Sequence, residues 1–278
     1  MWDTLSSVPA RTDTLESVPH RRFGAILDAE GSVVNQDIDN VLRDWEYKAG
    51  VVQARLVDAP GGRQVIQMRV DLGVLQLEVD ARPDGAHPHG HDTYYEYLHD
   101  RSRAAQRAGS KFVLSEEESQ EADREFMQFY HRRVCWLALR QYARAMRDAD
   151  HTLTFMDLVK RHSPGDEYTQ AHEQYRGFVL FHRTQAASAL QVEKNNPEQA
   201  VDEVRSGLEK LKAFFLEFGL EEQMEEDPMV QHLRKIEATL RKQYAIGATL
   251  HEQLEQAIAA EDYERAAQLR DALNRRKR

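Results

Sequence analysis

Hydrophobic and polar positions change their spacing twice along this chain. From Asp37 the apolar residues fall three and four apart, at Ile38, Val41, Leu42 and Trp45, which predicts a short helix opened by Asp37. The period then drops to two. Val52, Ala54 and Leu56 alternate with Gln53 and Arg55; Ile66, Met68 and Val70 with Gln67 and Arg69; Leu75, Leu77 and Val79 with Gln76 and Glu78. Turn formers separate the runs at Asp58-Ala-Pro-Gly-Gly62 and Asp71-Leu-Gly73, and Arg82-Pro-Asp-Gly85 suits a type I turn. The expectation is a three-stranded antiparallel β-meander with one apolar face. From about residue 92 the helical period returns. Glu116, Glu117 and Glu118 behind a capping Ser115 start a helical run read over 116–148. Residues 152–161 read as a short helix stopped at Ser163-Pro-Gly165, and residues 166–193 as the next helix. Asn196-Pro-Glu198 is a start signal for a helix that Gly219 closes.

The two helices 166–193 and 197–218 resemble a tetratricopeptide-type hairpin, with Ser188, Ala200 and Gly207 placed where such helices pack closely. No second copy lies 34 residues earlier, so one antiparallel helix pair explains the same pattern. An acidic stretch, Leu220 to Pro228, reads as a joint; a helix over 229–246 follows, with Val230, Leu233, Ile236 and Leu240 on one stripe, interrupted by Gly247. The expected layout is a disordered leader over 1–36, which carries a ten-residue near-repeat at Asp3–Arg11 and Asp13–Arg21, then a helix and meander over 37–91. An antiparallel helical body over 92–218, a joint and linker helix over 219–247, and a terminal hairpin over 248–278 complete it. The fold class is mainly α with a small antiparallel meander near the N-terminus.

In that terminal hairpin, Thr249 and Glu252 are spaced as a capping box, and Leu250, Leu254, Ala257 and Ile258 form one stripe. Asp262 can cap a second helix whose apolar arc holds Tyr263, Ala266, Ala267, Leu269 and Leu273. Arg270 projects into that arc and needs a carboxylate, either an acid such as Glu255 or Glu261 or a group on another chain. A unit of this size lies below the ~40 residues at which isolated domains become viable. Its ordering entropy is on the order of 40 kcal/mol, more than one two-helix face returns. It should therefore dock on the body, on another copy or on a partner. The stretch Leu254–Leu273 resembles the UVR motif, the helical hairpin of UvrB- and UvrC-type repair proteins, at Ala257-Ile258, Asp262-Tyr-Glu264, Ala266-Ala267 and Leu269-Arg-Asp271. Such hairpins also occur in ClpC-type unfoldases and McsA-type kinase activators. The resemblance implies docking on a UVR-bearing protein or on a second copy as a homodimer, with Leu250, Leu254, Ala257, Ile258, Tyr263, Ala266, Ala267, Leu269, Arg270 and Leu273 as the partner-binding residues. The remaining chain is similar to a set of bacterial, planctomycete-like proteins ending in a UVR hairpin. The residues that carry this are Asp37-Ile-Asp39, Trp45, Ile66–Gly73, Leu75–Glu78 and Arg82–Gly85; it implies the layout and no activity.

Composition narrows the chemistry. The 278 residues carry a formal net charge of -10, which argues against a broadly basic nucleic-acid binder. One cysteine, Cys135, excludes an internal disulfide and the Cys-based zinc sites of McsA-type proteins, and its apolar neighbours Val134, Trp136 and Leu137 predict a buried thiol. No Walker loop, H-E-x-x-H helix or G-x-S-x-G elbow is present, so neither an enzyme nor a cofactor is expected. No apolar run reaches a membrane span and no signal peptide is read, which gives a cytoplasmic expectation. His87, His89 and His91 are weak metal candidates in a Pro/Gly loop. The polar face of the meander, with Arg55, Arg69 and Glu78, is either a solvated face or a ligand surface. Three functions remain: an adaptor docking through the hairpin, a DNA-repair accessory factor touching DNA through Arg275–Arg278, and a ligand or metal binder using the meander.

Overall fold

A computed structural model describes residues 37–276; the leader over 1–36, its near-repeat, and the last two residues of the basic tail lie outside the described residues. The chain divides into two compact units at Gln76/Leu77.

The first unit contains α1 (Asp39–Leu42), β1 (Gln53–Asp58), β2 (Gln64–Val70) and most of β3 (Gly73–Glu78). The strands form an antiparallel sheet in the order β1-β2-β3, as the period-two pattern predicts. Register sets Ala54 opposite Met68 and Leu56 opposite Ile66 on one face, and Arg55 opposite Gln67 and Val57 opposite Val65 on the other. Ile66 and Val65 are consecutive, hence on opposite faces, and both are buried. The face expected to be solvated is therefore partly covered. Trp45 does part of this, stacking under the Arg55 guanidinium 4.1 Å from its ring centre.

The second unit is helical: α2 (Tyr94–Arg107), α3 (Glu116–Ala138), α4 (Tyr142–His162), α5 (Asp166–Glu173), α6 (Arg176–Glu193), α7 (Pro197–Glu217), α8 (Glu221–Met224), α9 (Pro228–Gln243), α10 (Leu250–Ala259) and α11 (Tyr263–Arg276). Packing runs in series, α3 on α4, α4 on α6, α6 on α7 and α7 on α9. One core lies between α2, α3 and α4 around Leu98, Ala122, Phe155 and Leu158. Another lies between α6, α7 and α9 around Phe181, Val201, Leu211 and Leu233.

Five expectations about boundaries are corrected. The run read over 116–148 breaks after Ala138, and the helix read over 152–161 is the second half of α4. The break is closed by Arg140 at φ 57°, with the Gln141 N–H donating to the Trp136 carbonyl at 2.8 Å. No glycine marks it, unlike Gly219, whose positive φ closes α7 where expected. The 166–193 segment is likewise two helices, parted at Gln174 and Tyr175. The residue 219–247 joint is not a linker, because Val230, Leu233 and Leu240 of α9 are buried in the core they share with α7. Finally, the break between units falls inside β3 and not at residue 91. Residues 78–81 are held by α3, since Arg132 Nη1 donates to the Glu78 and Ala81 carbonyls at 3.1 and 2.8 Å.

Where α3, α4 and α6 meet, the interior is polar. Arg132 and Asp148, both buried, form a two-pronged ion pair at 2.8 and 2.9 Å. The neighbouring Arg133 donates to Thr152 Oγ1 at 3.0 Å and to His182 Nδ1 at 3.3 Å. Burial lowers the pKa of Arg133 to about 10. Burial first, then the nearby Arg133 charge, pushes the His182 pKa well down, so its neutral ring can accept. Cys135, also on α3, is buried, with burial pushing its thiol up to about 12. Among the described residues no helix is long and apolar enough to cross a membrane.

Two outcomes follow from this packing. A Cβ on Gly207 of α7 would sit 2.7 Å from Thr184 Cβ of α6, both on tightly packed helices. Gly207→Ala should cost about 1–3 kcal/mol in urea unfolding. The depressed His182 makes the unfolded chain bind more protons below its ordinary pKa of about 6.5. Stability attributable to His182 is thus intact above that pH and is lost as pH falls. In His182→Gln, which keeps an acceptor for Arg133, the stability of the variant relative to wild type should rise as pH drops from 7 to 5, with a slope of up to about 1.4 kcal/mol per pH unit.

Candidate interaction site at the C-terminal hairpin

α10 and α11 form the terminal hairpin. Thr249 caps α10 in a complete capping box: its hydroxyl accepts from the Glu252 N–H at 3.2 Å, and the Glu252 carboxylate accepts from the Thr249 N–H at 2.7 Å. The connection is closed by Glu261 at φ 55°, with the Asp262 N–H donating to the Ala257 carbonyl at 2.9 Å. Asp262 then accepts from the Arg265 N–H at 3.0 Å, as a cap on α11.

The structure sorts the ten expected partner-binding residues into two groups. Ala257, Ala266 and Leu273 are buried, and Leu250, Leu254 and Leu269 are half-buried; these make the inside of the unit. Ile258 (54 % exposed), Tyr263 (70 %), Ala267 and Arg270 stay in solvent. The Arg270 guanidinium meets neither Glu255 nor Glu261. It bonds its neighbour Asp271 at 3.2 Å, while Glu255 is taken by Arg205 of α7 at 3.0 Å.

Attachment to the body runs through the first turn of α10 and is polar. Asp202 of α7 accepts from the Thr249 hydroxyl and from the His251 Nδ1–H, both at 2.6 Å. Glu198 accepts from the Leu250 N–H at 2.8 Å. Arg241 of α9 donates to Glu252 at 2.7 Å and to the Gly247 carbonyl at 2.6 Å. Burial alone would raise the Glu252 pKa, but the Thr249 N–H and the Arg241 guanidinium outweigh it and hold the carboxyl below the ordinary carboxylate range. These clasp residues on α7 and α9 were not identified from the sequence. Asp202, Arg205 and Arg241 look like ordinary members of charged helix faces until the fold sets them beside Thr249.

A family model, the UvrB/uvrC motif, matches residues 248–277. The terminal hairpin is a UVR motif. The match begins just before Thr249 and takes in both helices, so the clasp lies at the start of the UVR motif and the exposed Ile258 and Tyr263 flank its turn. No curated protein and no solved structure matches the chain.

The other candidate surfaces have different geometry. Arg55 Nε and Nη2 donate to Gln67 Oε1 at 2.9 and 2.7 Å. Arg69 donates to the Trp45 and Gly73 carbonyls at 2.8 and 2.9 Å, so both guanidinium groups serve the first unit's own backbone and side chains. Glu78 ends β3 in the second unit, beside Gly85. His87 faces Asp92 at 3.4 Å, His89 stacks on the Tyr97 ring at 3.9 Å, and His91 faces Asp100 at 3.4 Å. Each histidine thus has its own partner, and among the described residues no group of three or more His, Cys, Asp or Glu is arranged to hold a metal.

The clasp predicts a local response. Asp202→Ala leaves Thr249 and His251 without their shared acceptor. Amide exchange across 249–259 should then speed up about tenfold or more, the equivalent of at least ~1.4 kcal/mol, while α3 and α4 keep their protection. In wild type the Glu252 contribution is present above the ordinary carboxylate pKa and is lost as pH falls through its lowered folded value, so exchange corrected for intrinsic rate should rise there too.

Proposed function

We propose that the protein is a non-enzymatic adaptor that docks through its UVR hairpin on a UVR-bearing partner or on a second copy of itself. The observation that carries this reading is the placement of the motif. It hangs on the body by a polar first turn and leaves Ile258 and Tyr263, two large apolar side chains, exposed beside its turn. Covering such a side chain returns about 1.5–3 kcal/mol. Buried alanines at 257 and 266 keep the two helices of the unit close, so the exposed pair belongs to a preformed surface. The body supplies a rigid platform in this reading, and the hairpin supplies contact.

The test compares the full chain with the double variant Ile258→Glu/Tyr263→Glu. The wild type should capture a UVR-bearing protein from native lysate or elute at dimer mass by light-scattering size exclusion. The variant should do neither, with an unchanged melting temperature. Equal association by both proteins would remove the hairpin as the docking element.

A further inference from the structure

α5 buries no apolar side chain. Of its eight residues only Glu173 is buried, and its N-cap, Gly165, has no side chain to cap it. A helix of that length is marginal without tertiary support. What it lays on α3 is polar and half-buried: Tyr168 and His172. The Tyr168 hydroxyl shares its proton between Asp123 Oδ1 at 2.8 Å and the Ser119 carbonyl at 2.9 Å. His172 Nε2 lies 2.8 Å from the same Asp123 oxygen, and its Nδ1 lies 2.8 Å from the Tyr168 carbonyl. A carbonyl and a carboxylate only accept, so each ring nitrogen has to donate. Only the imidazolium carries a proton on both; a neutral ring keeps one bond and turns a lone pair on the other acceptor.

The charges around this ring favour that proton. Asp123 faces it from α3 and Glu173 stands beside it on α5. Arg176 of α6 and Lys160 of α4 are engaged by Glu173, at 2.7 and 3.9 Å, and Asp157 of α4 by Arg176 at 2.7 Å. α2 contributes Tyr94, whose phenol lies near that of Tyr168. Burial by itself would lower the His172 pKa. The Asp123 and Tyr168 hydrogen bonds and the Asp123 and Glu173 charges outweigh it and hold the ring above its ordinary value. Burial and the bond to Asp123 keep the Tyr168 phenol protonated throughout, so His172 is the group that changes.

We propose that α5 is a proton-held latch: it stays closed on α3 while His172 is an imidazolium, and loss of that proton lets it swing out on its Glu173–Arg176 tie and uncover the α3 stripe Ser119, Asp123 and Phe126. Those three fall at i, i+4 and i+7, and the Phe126 ring lies 5.0 Å from the His172 ring. The open helix returns His172 to its ordinary pKa of about 6.5. The closed state thus binds more protons; its hold is complete below that pH and is lost as pH rises through the raised closed-state value. This is the opposite sense to His182. The latch stands apart from the docking reading and does not draw on it.

Amide exchange of the full chain, corrected for intrinsic rate, tests this from pH 6 to pH 8.5. Opening across residues 169–175 should rise several-fold with pH, with a ceiling of about tenfold per pH unit for one proton, while α3 and α4 do not open in step. His172→Gln and Asp123→Asn should each open more than wild type at pH 6 and lose the rise. Nitrogen NMR of the wild-type His172 ring at pH 6 should find both nitrogens protonated, a readout that needs no variant to fold. A flat wild-type profile, a rise that survives in His172→Gln, a singly protonated ring at pH 6, or α3 and α4 opening together with α5 overturns the latch.

Discussion

The second unit depends on a charge that the protein could not leave unpaired. Arg132 sits at 2 % exposure inside a helical body, where an uncompensated guanidinium costs several kcal/mol. Asp148 neutralises it with two hydrogen bonds, and the remaining nitrogen serves the carbonyls of residues 78 and 81. A single side chain thereby fixes the α3–α4 crossing and satisfies backbone at the end of β3 and just beyond it. An ion pair of this kind adds little net stability compared with apolar residues of the same volume. Its effect is geometric: of the ways α3 and α4 could slide past one another, only one returns both carboxylate oxygens to the guanidinium.

From that crossing the helices follow in order, each apolar face covered by the next. The series ends at α9, whose buried stripe is covered by α7. The hairpin comes after it and is joined differently. Its inside is its own, made of Ala257, Ala266 and Leu273, and its hold on α7 and α9 is made by Asp202, Glu198, Arg205 and Arg241. Polar contacts at partly exposed positions are weaker per area than an apolar core and fall off with salt. A unit attached in this way keeps its outer face available, which is what the proposed docking role requires.

Much of this was legible in the chain. Period two gave the meander and period 3.6 the helices; the acids after Ser115 located a capped helix start and the pair Thr249 and Glu252 a capping box, and the structure has a capping box at both. The UVR hairpin was legible because its spacing, small residues and turn acid are local features. Helix ends were less so. Gly219 announces its position because glycine accepts positive φ freely, but Arg140 and Glu261 take the same backbone conformation with side chains that give no such signal. The six-to-one hydrogen bonds that they close offset the local strain, and that balance depends on where the next helix packs.

What the sequence determined by itself was the kind of each element and the identity of the terminal motif, since both rest on contacts within a few residues along the chain. Tertiary structure decided which charges meet. Arg270 called for a carboxylate, either an acid of the hairpin such as Glu255 or Glu261 or a group on another chain; Glu255 is claimed by Arg205, fifty residues away, and Arg270 remains outside beside Asp271. The helix after the acidic stretch was expected to be a linker, yet Val230, Leu233 and Leu240 of its stripe are buried in the core shared with α7. Electrostatic partners and the burial of a helix face are set by distance in space, and neighbours in space are what periodicity along a chain does not encode.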